Sequence, residues 1–234
     1  VEPLSILIIG FLLGLKHAFD ADHLVAVSTL LTHNRSAWHT LRLGLWWGVG
    51  HTLTLVLVGL TVLTLKLDIP PAVSLCMECL AGAMLIALGL TTLFDCWRRR
   101  LHVHRHVHAE TVHLHFHTHA TQAGHQHGHR VPTGWKPIVV GMVHGLAGSA
   151  ALMLLVVASS PSVMTGLVYV LTFGFGSILG MGAVSVLMSA FFSLAAPKSQ
   201  GLNLSVHAAV GGVSLAMGLW IIFEAGFVSG LFLT

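Results

Sequence analysis

The stretch Leu4–Leu31, LSILIIGFLLGLKHAFDADHLVAVSTLL, is apolar enough and long enough to cross a bilayer, yet it carries His17, Asp20, Asp22 and His23. An ionised carboxylate costs about 2.5–3.5 kcal/mol at the centre of a membrane helix, even on the most lenient insertion scale. Two carboxylates and two imidazoles within seven residues therefore need a compensating partner. A divalent transition-metal ion meets that need, because it neutralises the acids and takes neutral imidazole nitrogen as a ligand. On a regular helix His17, Asp20 and His23 share about a third of the circumference, and Asp22 points elsewhere. Either Asp22 acts from behind the ligands, or the helix unwinds and all four converge. A hydrogen-bonded structural network, or a segment end sitting in water, is the alternative.

The surrounding chain sets the class. Its 234 residues are 55% hydrophobic and only 8% charged, with a mean hydropathy of +0.85, against about 25% charged residues in a soluble domain. Six apolar runs each reach the length of a membrane helix: Leu4–Leu31, Leu43–Leu65, Ala72–Phe94, Pro137–Ser159, Val163–Phe192 and Leu204–Leu231. The runs are continuous rather than alternating, which excludes barrel strands. The expected fold is an all-α polytopic membrane protein with six transmembrane helices. Val1-Glu2-Pro3 lacks a basic region, so the first run is expected to remain as a span. Three cysteines make no disulfide framework, and a formal charge of +3 gives no sign of nucleic-acid binding. Nine of the eleven Lys and Arg residues fall in the loops after spans one, three and five. The positive-inside rule then places those loops in the cytoplasm and both termini outside, in a cytoplasmic membrane.

The two halves repeat one another. Gly14-x-x-His17 recurs as Gly141-x-x-His144, Gly48-x-Gly50 as Gly174-x-Gly176, and Gly82, Gly89 and Phe94 as Gly211, Gly218 and Phe223, at offsets of 127, 126 and 129 residues. Glycines that pack membrane helices recur by chance as well. Three spans per unit imply halves inserted in opposite directions, with the binding site at their interface. The expected division is a first three-helix repeat over 1–100, a His-rich loop over 101–135 and a second repeat over 136–234.

His144 gains weight as the counterpart of His17. Glu78 and His207 correspond in the same way and could line a pathway or satisfy neighbouring backbone. Cys76-Met-Glu-Cys79 is a lone pair that reads as packing thiols. The loop holds eleven of the eighteen histidines: His102, His104, His106, His108, His113, His115, His117, His119, His125, His127 and His129. With few large apolar residues it is expected to be flexible. At that density its imidazoles are expected to buffer or present metal on the cytoplasmic side.

His17-Ala-Phe-Asp-Ala-Asp22-His23 resembles the His-x4-Asp-His signature of the nickel/cobalt permeases, and Gly50-His51-Thr52 is similar to the Gly-His-Ser/Thr element that follows it in that family. The resemblance is tight over Gly14–Val27 and looser over Gly44–Val58. The second half, Gly141–Leu155, looks like related membrane proteins of the urease-accessory and nickel-resistance types. That family usually has eight spans. The resemblance implies transition-metal transport, with His17, Asp22 and His23 as essential residues and His51 as a ligand. The other reading of His51 is a core histidine donating to a backbone carbonyl on a glycine-rich face, and the resemblance favours the ligand role.

The expectation is a Ni2+ or Co2+ permease that is not an enzyme and has no prosthetic group, with import favoured and Asp20, His51 and His144 close to the ion. Its partners would be the metal, the lipid bilayer and a cytoplasmic metallochaperone, with no nucleic acid. Efflux on the same scaffold is one rival, and an intramembrane metalloenzyme or an accessory subunit is another. Neither a Walker A sequence nor His-Glu-x-x-His occurs.

Overall fold

The computed structural model describes residues 3–31, 36–67, 69–100, 105–108, 111–114, 135–159, 162–195 and 200–232. Seven α-helices dominate them: α1 Pro3–His17, α2 Ala21–Leu30, α3 Ala37–Leu65, α4 Pro71–Arg100, α5 Trp135–Ser159, α6 Val163–Ala195 and α7 Gln200–Phe223. A π-helical turn, Glu224–Val228, extends α7. By length and composition, Ala37–Leu65, Pro71–Arg98, Val163–Leu194 and Leu204–Val228 can cross a membrane. Their outer surfaces carry Leu57, Phe175, Leu187 and Val213, all exposed. Four such helices are consistent with an integral membrane protein.

One expectation needs correction. The run Leu4–Leu31 is not one continuous span, because α1 stops at His17 and α2 starts at Ala21. Backbone bonds from Phe19 N to Lys16 O and from Asp20 N to His17 O close the end of α1 as tight turns. Asp20, extended at φ −63° and ψ 148°, then opens α2 as its N-cap residue. Apolar composition tolerated a single span here, but the cap residue interrupts it. The described residues are otherwise all helical, as expected, apart from a short antiparallel hairpin in the loop, β1 Arg105–His108 and β2 Thr111–Leu114, with His106 opposite His113 and Val107 opposite Val112. His102, His104, His115, His117, His119, His125, His127 and His129 lie outside the described residues.

Helix ends follow local chemistry. Ser36 caps α3 by accepting from His39 N at 3.4 Å, Lys66 ends it in the left-handed region at φ 50°, and Pro71 occupies the first position of α4. Hydroxyls within the helices return to carbonyls of their own turn, as Thr54 does to Gly50 and Thr61 to Leu57. Thr52 and Ser177 instead donate across helices, to the Gly174 and Gly14 carbonyls at 3.0 and 3.2 Å.

Packing is governed by close backbone approach. Helix α3 lies against α5 and α6, α1 against α6, and α4 against α7, while α2 wedges among α4, α6 and α7. A Cβ on Gly14 would fall on the Phe173 carbonyl, and one on Gly141 would fall on the Trp47 carbonyl. Gly50 meets the Ile138 carbonyl as Gly176 meets that of Phe11. Gly82 and Gly218 face each other's carbonyls, and Gly89 and Gly211 do the same. Such contacts let dispersion and Cα–H···O contacts join helices where hydrocarbon offers no hydrophobic drive.

Gly14→Leu or Gly141→Leu is expected to cost about 1–3 kcal/mol through overpacking, read as a lower melting temperature in detergent. Gly212→Ala, facing open space, should leave the melting temperature unchanged. Equal melting of all three variants would contradict the close approach.

Candidate metal site

The break between α1 and α2 makes the site. It turns His17 inward at the end of one helix and sets Asp22 and His23 in the first turn of the next, where the helix dipole favours a carboxylate. Asp20 makes no capping bond. Its Oδ2 instead accepts from His17 Nδ1 at 2.8 Å. Asp22 faces two ways. Its Oδ1 accepts from both the backbone N–H and the Nδ1 of His23 at 2.9 Å, and its Oδ2 accepts from His144 Nε2 at 3.0 Å.

His23, His51 and His144 are no more than 1% exposed. Their rings gather with His17 into one cluster, with centroids 4.6 Å apart for His17 and His23, 4.5 Å for His23 and His144, 5.2 Å for His17 and His51, and 5.4 Å for His23 and His51. His17 and the buried His23, His51 and His144 therefore come from α1, α2, α3 and α5.

Hydrogen bonding settles what these rings can offer. A carboxylate only accepts, so the nitrogens facing Asp20 and Asp22 carry the protons. That leaves the lone pairs on His23 Nε2 and His144 Nδ1, and both atoms are buried without a hydrogen-bond partner among the described residues. Neither nitrogen of His51 has one there either. Buried polar atoms are rarely left this way. Carboxylates behind imidazoles that keep one nitrogen available form the arrangement found around protein metal ions. Two groups of ligand atoms lie within 4.8 Å of one another: His17, His23 and His51, and Asp22, His23 and His144. Bonds near 2.0–2.1 Å place tetrahedral donors about 3.3 Å apart, so contraction would close the first group on an ion, and the second once the ring protons facing Asp22 pass to the other nitrogens of His23 and His144. Imidazole with one carboxylate suits nickel, cobalt or zinc.

The structure thus brings together His17, Asp22, His23, His51 and His144, and places Asp20 at the edge with its side chain 49% exposed. Regular-helix geometry had pointed Asp22 away, and the helix break reverses that. Glu78 on α4 and His207 on α7 belong to neither convergent group among the described residues. Cys76 and Cys79 carry free thiols and also stand outside them. Two residues that sequence reasoning passed over form the walls. Trp47 stacks 5.4 Å from His23 and 5.8 Å from His144, and Phe173 lies 5.4 Å from His17. The 126-residue offset relates Trp47 to Phe173 and was the signal available to find them.

The chain is 34% identical over 232 residues to the urease accessory protein UreH of Bacillus sp. (strain TB-90), covering 99% of this chain and 96% of that protein. No protein-family model matches the chain, and no solved structure does.

If Asp22 orients two ligands and Asp20 only one, Asp22→Asn should weaken nickel binding by about 10–100-fold, measured by titration calorimetry in detergent. Asp20→Asn should lose less. The reverse order would contradict the geometry.

Proposed function

The chain belongs to the family of the urease accessory protein UreH, and from that premise we propose that it is a Ni2+ or Co2+ permease of the cytoplasmic membrane, working as an importer. The observation that carries this reading is the convergence of His17, Asp22, His23, His51 and His144 inside an otherwise apolar helical body. Ionisable groups at that depth mark an ion route. Import suits a relative named as a urease accessory protein.

The transport plan rests on the halves. Helices α1 and α2 together make one interrupted crossing, and α5, 25 residues long, makes another, which gives six crossings with α3, α4, α6 and α7. The reciprocal glycine contacts support an inverted pair of three-span units, over 1–100 and 136–234. Gly14 meets α6 as Gly141 meets α3, at positions related by the same offsets as the sequence repeats. Interrupted helices at a repeat interface are how secondary transporters build midplane sites. The basic residues in the loops support a cytoplasmic hairpin segment with both termini outside. There its histidines receive or buffer the released metal and present it to a metallochaperone.

The hydrated ion is the substrate. It meets Asp20 and His17 at the exposed edge, exchanges water for imidazole nitrogen, and reaches the buried rings. The exchange is favourable because Asp20 and Asp22 compensate its charge.

Purified chain in liposomes should accumulate radioactive nickel with no other protein present. Asp22→Asn and His23→Ala should each abolish uptake. No flux in wild type would favour an accessory subunit, and undiminished flux in both variants would overturn the site. Removing residues 102–129 is expected to lower cytoplasmic metal retention in cells, and unchanged retention would reject the buffering role.

A further inference from the structure

The two convergent ligand groups share one residue, His23. His17 and His144, one in each group, occupy corresponding positions of the two halves. The ring of His23 sits almost equally between them, at 4.6 and 4.5 Å. The groups also differ in chemistry. One offers three imidazoles, while the other offers two imidazoles and a carboxylate. They differ in access as well. The His17 side chain is 18% exposed beside the open Asp20, whereas His144 is 1% exposed.

We propose that the centre is two alternative stations for one metal ion, His17–His23–His51 and Asp22–His23–His144, with His23 as the ligand common to both. This rests on the permease reading and specifies how its site would work. The ion moves by ligand exchange about His23. Bonds to the His17 and His51 nitrogens break as bonds to an Asp22 oxygen, His23 Nδ1 and His144 Nε2 form, and the two ring protons that faced Asp22 pass to His23 Nε2 and His144 Nδ1. Each imidazole keeps one ring proton and stays neutral, so no electron moves and no proton leaves the centre. A shared ligand limits the centre to one ion at a time, and each half supplies the residue that defines one station. Rocking of the halves then shifts the ion from one station to the other without releasing it to water.

Cobalt titration of the full chain in detergent, followed by visible absorption, separates the stations, with the loop histidines giving the same background in every variant. His23→Ala removes both stations and should lower affinity by about 100-fold, at the upper end of metal-site losses. His17→Ala and His144→Ala should each retain one station and lose no more than about 10-fold. Their cobalt spectra should differ, one from a mixed nitrogen–oxygen set and one from nitrogen alone, and wild type should show both contributions. Both variants should still fail to transport. Where an alanine variant lacks the wild-type helical circular dichroism, glutamine at the same position carries the comparison. If His17→Ala and His144→Ala bind as poorly as His23→Ala, the residues form one centre and the relay is wrong. If His23→Ala binds cobalt like wild type, the metal site itself falls and the relay with it.

Discussion

The Asp22 carboxylate is the fixed point of this molecule. One oxygen holds His23 in its own half, and the other holds His144 on α5, 122 residues away. Both are charge-assisted contacts in surroundings of low dielectric, where such bonds are strong and their loss is costly. A carboxylate so placed needs donors, and the two imidazoles supply them. In return it fixes which ring nitrogen of each remains available. Position, tautomer and the joining of the halves follow from one side chain.

That arrangement requires backbones to come unusually close. Gly141 lets α5 settle on the Trp47 carbonyl, which brings His144 one turn further along to the level of His51 and His23. Gly14 does the same for α1 against Phe173, which delivers His17. The wall residues Trp47 and Phe173 therefore serve twice, since their carbonyls receive the glycines and their rings seal the histidines. The site is closely packed at its glycine seams and interrupted between α1 and α2, where the Asp20 side chain is 49% exposed.

Much of this was legible before any coordinates. The energetic penalty on Asp20 and Asp22 in an apolar run marked the cluster, and the 127-residue offset singled out His144. The helix break was harder to see, because Ala18-Phe19 continues the apolar pattern and only a capping aspartate ends it. Without the break, helical geometry turns Asp22 away from the site it centres. The short hairpin within the histidine-rich segment was hidden by composition, because one valine in each four-residue strand is a weak signal beside eleven histidines. His51 had two readings from sequence, a ligand, which the resemblance favoured, and a core histidine. Its full burial without a hydrogen-bond partner among the described residues sets it apart from a core histidine bonded to a carbonyl.

The claim that Asp22 couples the halves through His144 around the metal position is tested most directly by a double-mutant cycle on nickel affinity, using Asp22→Asn, His144→Ala and the pair. The account predicts non-additivity of about 0.5–3 kcal/mol, as for residues in direct contact. Losses that add to within about 0.5 kcal/mol would show that the two act independently, and would contradict it.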